Sequence, residues 1–360
     1  MKRRSFLKQA AAGVAAGAVA APAIAQSMPN IQWRLASSFP KSLDTIYGAA
    51  EVFSKRLAEI TENKFQVRVF AAGEIVPGLQ VLDATQNGTV EMGHTAPYYY
   101  VGKDPAFAMG TCLPFGFNAR QHIAWKLYGG GNDAMAGLYK DYGVQHFACG
   151  NTGVQMGGWF RKEVKSVSDL KGLKIRIAGL GGEVMAKLGA VPQQIAGGDI
   201  YPALERGTID AAEWVGPYDD QKLGFYKVAP YYHFPGWWEG SAQLDFFINQ
   251  KAWDSLPAEY KAMVETAASH AHVEMQARYD ARNPLALKQL VAAKTELVQF
   301  PKPVLEAAFK HSMDIYSELN EKNPAWRKVY ADYSKFRADQ NLWFRFTEGT
   351  FDRFMQSAKL

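Results

Sequence analysis

Ile31-Gln32-Trp33-Arg34-Leu35 alternates apolar and polar residues, and Phe65-Gln66-Val67-Arg68-Val69-Phe70 repeats the pattern through Phe65, Val67 and Val69. Successive side chains of a strand point to opposite faces, so both segments read as strands with one face toward a core. Between them Ile46, Ala49, Phe53, Leu57 and Ile60 recur at spacings of three and four, the pattern of an amphipathic helix. Strand, helix, strand in this order predicts a doubly wound α/β lobe. The plan returns later, where Leu173-Lys174-Ile175-Arg176-Ile177 reads as a strand, a glycine turn follows, and residues 183–188 open a helix.

A short internal echo extends this reading. Gly88-Thr89-Val90-Glu91-Met92-Gly93-His94 lines up with Gly207-Thr208-Ile209-Asp210-Ala211-Ala212-Glu213, each behind a helical stretch that ends in a polar turn. Two lobes sharing a local plan are expected, in a chain of 360 residues that is long enough to give each its own core. Ligands of open α/β sheets bind beyond the carboxyl ends of the strands. Residues 94–100 and 213–218 are therefore expected to face a cleft between the lobes. Residues 26–150 are assigned mainly to lobe I and 151–250 mainly to lobe II. Residues 251–360 read as helices packed across the lobes or against a partner subunit, with helical periodicity over 253–293 and 303–319 and Pro257, Pro284 and Pro301 near breaks.

The N-terminus reads as an address. Arg3-Arg4-Ser5-Phe6-Leu7-Lys8, an Ala/Gly/Val stretch and Pro22-Ala23-Ile24-Ala25-Gln26 form an export signal of twin-arginine type, cut after Ala25. Its Lys2, Arg3, Arg4 and Lys8 account for most of the formal charge of +5: without them 36 basic residues face 35 acidic ones. A mature chain of charge +1 is no general polyanion binder, so nucleic acid is not expected as a partner. No later apolar run reaches the ~20 residues that cross a bilayer, and the mature protein is expected free in the periplasm without membrane insertion. Cys112 and Cys149 could be bridged in that oxidising compartment or stand as separate buried thiols.

Catalytic signatures are missing: no Gly-x-Ser-x-Gly elbow, P-loop, His-Glu-x-x-His or Cys-x-x-Cys occurs. His270-Ala271-His272 has the wrong spacing for one helix face and reads as two exposed histidines. Gly179-Leu180-Gly181-Gly182 imitates a dinucleotide fingerprint but carries Val184 at its third position, so the tight turn more simply lets backbone approach a ligand or a facing lobe.

Four stretches gather polar and aromatic groups where loops are expected. Asn151-Thr152-Gly153-Val154-Gln155-Met156-Gly157-Gly158-Trp159 crowds amides and glycines, as a hairpin or as a ligand loop. Arg176 lies in an apolar strand, where a cation must meet an anion. Its planar fork suits a bidentate carboxylate, although an internal salt bridge would serve as well. Glu213 precedes Trp214 in Glu213-Trp214-Val215-Gly216-Pro217-Tyr218, and Glu239 sits in Pro235-Gly236-Trp237-Trp238-Glu239-Gly240. Two acids beside one arginine can neutralise one another. With a glutamine carbonyl and main-chain oxygens they are also hard ligands for a hard cation.

At these stretches the chain resembles the solute receptors of tripartite ATP-independent periplasmic (TRAP) transporters over essentially its whole mature length. The central segment is Asp169-Leu170-Lys171-Gly172-Leu173-Lys174-Ile175-Arg176. Within the family it is most similar to the sodium-dependent 2-oxo-acid receptor, through Phe39-Pro40-Lys41-Ser42-Leu43-Asp44 and the loops around Gln155, Glu213 and Glu239. The resemblance implies a two-lobed periplasmic binding protein fold that takes a pyruvate-like monocarboxylate and delivers it to the TRAP membrane permease subunits. It implies that Arg176 clamps the carboxylate and that Gln155 touches both ligand and ion. It further implies a sodium ion, or another hard cation such as calcium, held by Gln155, Glu213, the Trp214 carbonyl and Glu239, and a homodimer joined through a long C-terminal helix. Asn151, Trp214, Tyr98 and Tyr100 complete the expected ligand contacts. His94-Thr95-Ala96-Pro97-Tyr98 and Gly240-Ser241-Ala242-Gln243-Leu244-Asp245 depart from the expected pattern; if Gln243, Asp245 or residues 98–100 line the pocket, a longer or hydroxylated acid would be preferred. A sugar-acid or dicarboxylate receptor is the competing reading within the family. A twin-arginine-exported oxidoreductase is the competing reading outside it, and no catalytic residue is assigned.

Overall fold

The computed structural model describes residues 28–358, and the export-signal reading lies outside the described residues. Two mixed sheets form the framework. The first has the order β2-β1-β3-β10-β4, from β1 (Ile31–Ser37), β2 (Phe65–Phe70), β3 (Met92–Thr95), β4 (Val144–Asn151) and β10 (Gln243–Asn249). The second has the order β11-β9-β5-β8-β6-β7, from β5 (Trp159–Phe160), β6 (Lys174–Arg176), β7 (Val191–Gln193), β8 (Ala211–Ala212), β9 (Tyr231–Phe234) and β11 (Glu296–Gln299).

The opening strand, helix and strand stand as their spacing predicts. β1 pairs in parallel with β2, with Ile31 opposite Phe65 and Leu35 opposite Val69, and α1 (Gly48–Ile60) makes the crossover. Phe53 and Leu57 of α1 are fully buried, and Phe53 meets Phe246 of β10 at 4.5 Å between ring centroids. Each such side chain contributes roughly 1.5–3 kcal/mol over its exposed state. At the sheet edge β2 alternates buried and exposed residues at its start, whereas β3, with neighbours on both sides, is buried throughout.

The echoed segments also behave alike. Strand β1 pairs in parallel with β3 in the first sheet, as β6 does with β8 in the second, and both β3 and β8 release the chain into a loop at their carboxyl ends. The stretch that might have been a hairpin is none: Asn151 ends β4 in one sheet and Trp159 begins β5 in the other. The chain passes between the sheets again after β9, to reach β10, and once more after β10, to reach β11.

Those first two crossings lie against each other. Thr152 N–H donates to Ala242 O at 3.1 Å, Gln155 N–H to Glu239 O at 3.1 Å, and Gly236 N–H to Gln155 O at 3.0 Å. Gly236 permits this approach, since a Cβ there would lie 2.6 Å from the Gln155 carbonyl oxygen.

Helices α2 (Ala119–Tyr128) and α3 (Gly131–Asp141) lie on the first sheet's side, and α4 (Gly179–Lys187) and α5 (Pro217–Leu223) on the second's. The long α6 (Ala258–Ala292) packs on β4 and α1 at the first sheet and on α5 at the second. It runs through Pro284, where a break was expected: packing along its length outweighs the hydrogen bond that proline removes. His272 differs from expectation too. It is buried, with its ring Nδ1 3.4 Å from Gln243 Nε2. Helices α7 (Lys302–Lys322), α8 (Pro324–Phe346) and α9 (Glu348–Ser357) complete the described chain. Cys112 and Cys149 are separate buried thiols.

Candidate functional site

Arg176 ends β6, one strand away from β8, and the backbone bond from Glu213 N–H to Arg176 O (3.1 Å) holds the two strand ends level. The guanidinium is fully buried. Nε donates to Ile195 O at 3.0 Å, Nη1 to Glu213 O at 2.9 Å and to the Glu213 carboxylate, while Nη2 has no partner. The Trp214 ring lies under it, 5.0 Å from the guanidinium carbon. The internal salt bridge weighed from sequence therefore exists, and it leaves one end of the guanidinium fork open.

The acids nearby are equally incomplete. Glu213 Oε1 also accepts from Ala178 N–H at 3.1 Å, but Oε2 has no partner, and neither oxygen of buried Glu239 completes a hydrogen bond. Gln155 spends its Nε2 on Thr152 Oγ1 at 3.1 Å and leaves Oε1 unpartnered. Among the described residues four buried carboxylate oxygens lack a partner, and three belong to Glu213 and Glu239; the fourth is on Asp219.

Electrostatics record the same imbalance. Burial pushes Glu213 up to about 7 despite Arg176, and pushes Glu239 well above the usual carboxylate range, with Glu213 adding to it. Burial opposes the charge on Arg176, yet Glu213, the phenols of Tyr99 and Tyr98, and Glu239 outweigh it and raise its pKa. Two buried acids, one raising the pKa of the other, that share one cation are short of positive charge.

A small cavity adjoins these groups, lined by Gln155, Trp214 and Val215 from the second lobe and by Phe39, Tyr98, Tyr99 and Leu244 among others from the first. The lobes touch around it. Gln194 Nε2 donates to Tyr99 O at 2.9 Å, and Tyr98 packs on Gly179, where a Cβ would come within 2.6 Å of its ring. The glycine turn after β6 thus accommodates the facing lobe, which is what the sequence left open for it.

The expected site residues divide. Gln155, Arg176, Glu213, Trp214, Glu239 and Tyr98 come together here. Tyr100 points elsewhere, its hydroxyl bonded to Thr95 Oγ1 at 2.9 Å and accepting from Leu82 N–H at 3.1 Å. Asn151 accepts from Gly153 N–H at 2.9 Å and faces Gln243, holding the strand end and not the cavity. Gln243 and Asp245 turn away from the cavity as well. Ala96 and Tyr99 fall within the range 94–100 expected at the cleft, whereas sequence reading singled out neither Ile46 nor Leu244 as part of the wall; only the placement of strand ends brings these residues together.

No group of three or more His, Cys, Asp or Glu side chains among the described residues is placed to hold a metal. The donor set here is of another kind, two carboxylates and an amide oxygen, and it fits a hard cation that accepts main-chain oxygens and water as well.

Comparison with known proteins bears on the whole chain. Residues 36–323 match the family model of bacterial extracellular solute-binding protein, family 7. The chain belongs to this family. A monocarboxylate 2-oxoacid-binding periplasmic protein of Nostoc sp. (strain PCC 7120) is 49% identical over 365 residues and the alignment spans both chains completely. A TRAP transporter solute-binding protein from Bordetella bronchiseptica RB50 is 52% identical with a TM-score of 0.90, over 91% of this chain and 98% of its own. Its crystal structure is a mixed-occupancy dimer, one active site holding copurified calcium and picolinate and the other apo. A third, from Pseudoalteromonas atlantica T6c, is 38% identical with a TM-score of 0.87 over 92% of this chain and all of its own, and holds sodium and pyruvate. The family resemblance and the two-lobed α/β periplasmic binding protein fold read from the sequence are both borne out. No helix among the described residues is long and apolar enough to cross a membrane.

Proposed function

We propose that the protein is the extracytoplasmic receptor of a TRAP transporter, binding a small 2-oxo monocarboxylate together with a hard cation and passing the acid to the membrane permease without making or breaking a bond. The observation that carries this reading is a set of unpartnered buried atoms, Arg176 Nη2, Gln155 Oε1, Glu213 Oε2 and both Glu239 oxygens, beside a small cavity that Gln155 and Trp214 line. Arg176 takes the carboxylate. Gln155, Glu213, the Trp214 carbonyl and Glu239 hold a sodium ion, or calcium in its place. Each bound group supplies what the other side lacks. The cation neutralises two buried acids, and the acid completes the guanidinium fork in a dry site where such bonds are strong. Pyruvate with sodium in the Pseudoalteromonas protein and picolinate with calcium in the Bordetella protein support this pairing of ligand and ion.

The apolar wall of Phe39, Ile46, Ala96, Val215 and Leu244 offers no second cation and so disfavours a dicarboxylate, while Tyr98, Tyr99 and Thr152, which line the same cavity, are the groups a longer or hydroxylated acid would use. Both lobes contribute walls, so a bound acid stabilises their closed arrangement and shifts the hinge population toward it. The remaining assignments follow this role. Residues 1–25 export the chain by the twin-arginine route to the periplasm; residues 26–150 build mainly lobe I and residues 151–250 mainly lobe II. The helices of residues 251–360 brace the lobes and join a homodimer. Exposed Leu342, Trp343, Phe346, Phe351 and Phe354 near the C-terminus support that last point, as does the dimeric Bordetella relative.

A thermal melt of the mature protein against a panel of small acids, in sodium and in choline buffers, tests the reading. A ligand at a hundred times its dissociation constant adds about 2.7 kcal/mol, several degrees at this size. A shift with 2-oxo acids in sodium but not in choline is expected. A shift with dicarboxylates alone, or with no acid, would overturn it.

A further inference from the structure

Asp220 lies in the first turns of α5, outside the cavity, and is buried. Its carboxylate accepts three hydrogen bonds. Oδ1 takes Val215 N–H at 3.2 Å, and Oδ2 takes Trp159 Nε1–H at 2.9 Å and the Tyr232 hydroxyl at 2.7 Å. No oxygen of Asp220 is left over for a ligand, in contrast to Glu213 and Glu239.

The identity of the three donors matters. Val215 is two residues beyond Glu213, on the segment that carries the Trp214 carbonyl. Trp159 begins β5, four residues after Gln155. Tyr232 lies in β9, the strand that leads into the crossing with Glu239. Each donor therefore belongs to a different one of the three segments that bring oxygen atoms to the site. Trp159 and Tyr232 also stack at 4.0 Å, nearly parallel, in paired positions of neighbouring strands. Close by, Met156 N–H reaches Val215 O at 3.1 Å, so the same segments are tied directly as well.

We infer that Asp220 is a positioning residue for the cation: one carboxylate fixes the spacing of the Gln155, Glu213–Trp214 and Glu239 segments, and so of their oxygens. A hard ion needs its ligands at set distances, and oxygens on three separate loops keep those distances only if the loops share an anchor. Asp219, beside it, faces the other way and accepts from the Tyr279 hydroxyl at 2.6 Å, which ties the same short helix to α6. The inference rests on the cation-and-acid reading above.

The test uses the mature protein with pyruvate as probe, titrated by calorimetry at several sodium concentrations. Asp220→Asn keeps size and shape but has a single acceptor oxygen, so it cannot serve Val215 N–H on one side and Trp159 with Tyr232 on the other. The sodium concentration that supports half-maximal pyruvate affinity should rise by about 10-fold, the lower end of the range for outer partners bonded directly to metal ligands, because Asp220 holds the ligands' segments and not the ligands themselves. Raising sodium should then restore pyruvate affinity toward that of the wild type. Tyr232→Phe, which removes one donor and leaves the charge, should move the same midpoint in the same direction by a smaller factor, and it serves if Asp220→Asn does not fold. A variant that melts earlier yet keeps the wild-type sodium midpoint would overturn the inference and leave the receptor reading standing. A wild-type protein that binds pyruvate without regard to sodium would remove the reading and the inference together.

Discussion

Lys126 and Asp245 in the first lobe, and Arg176, Glu213 and Glu239 in the second, are all withdrawn from solvent, yet the two groups are finished differently. The Lys126 ammonium meets both oxygens of Asp245 at 3.2 and 3.1 Å; Tyr139 donates to the same carboxylate at 3.2 Å, and His146 Nδ1 lies 3.3 Å away. None of these four residues leaves a buried side-chain atom without a partner. Burial works against the charge of Asp245, but Lys126 and His146 overcome it and hold the pKa far below the ordinary carboxylate value. Around Arg176 the acids are pushed up instead, and five buried atoms of Arg176, Gln155, Glu213 and Glu239 lack partners. Buried charge alone therefore says little about function. The closed hydrogen-bond account belongs to a structural pair, and the cluster of open ones belongs to the proposed ligand site.

Breaking each group should differ in what it does to acid binding. Arg176→Ala removes the open end of the fork and should cost at least about 2–5 kcal/mol of acid binding, loss of measurable affinity in practice, and some stability as well because Glu213 is left buried without its cation; unchanged affinity of the folded variant by calorimetry would end the clamp assignment. Lys126→Met should cost stability and leave binding alone. Leaving Asp245 buried and alone costs about 3–5 kcal/mol of stability in urea unfolding, while acid affinity of the folded fraction stays within about twofold, as for independent sites. A large loss of affinity there would merge the two groups into one.

A smaller effect comes from pH. Burial, with Lys126 adding to it, pushes His122 and His272 down to about 3 and about 4. Both are neutral in the fold and take up protons when unfolded below about 6.5. Their contribution is complete above that pH and is lost as the pH falls toward 4. His272→Gln should therefore lose less stability than the wild type between pH 6.5 and 4, and parallel curves would contradict the placement of that ring.

The mildest effect is expected at the surface between the lobes. Asp44 of the first lobe accepts from the Tyr218 hydroxyl at 3.1 Å, pairs with Lys222, and takes Arg282 Nη1 at 2.7 Å. Burial works against its charge, but Lys222 and Arg282 prevail and lower the pKa to about 2, so this contact is charged at neutral pH. Being half exposed, it is worth little: Asp44→Asn should weaken acid binding about two- to fivefold at low salt and less at high salt. An effect independent of salt would mean that Asp44 acts through packing and not charge.

How much of this was legible beforehand differs by residue. β1, α1 and β2 announce themselves by period, and Arg176, Glu213 and Glu239 stand out because charges in apolar runs need a reason. Asp245 stands in a similar run, yet nothing near it in sequence names Lys126, 119 positions away, as its partner. Tyr100 looked as good as Tyr98, two positions earlier; only the turn of the short helical segment decides which ring meets the cavity. Asp220 carried no signal, because its meaning lies in which three loops its donors come from.

Local periodicity and the cost of burying charge thus determined, from sequence, the α/β elements, their order and the residues worth watching. Those are properties of neighbours along the chain and of single side chains in an apolar setting. Which buried charges are satisfied, which face a cavity and which anchor distant loops was decided by tertiary structure, because hydrogen-bond partners are chosen by position in space. Lys126 and Arg176 are both buried cations beside a buried acid, and only the fold closes one pair and leaves the other open.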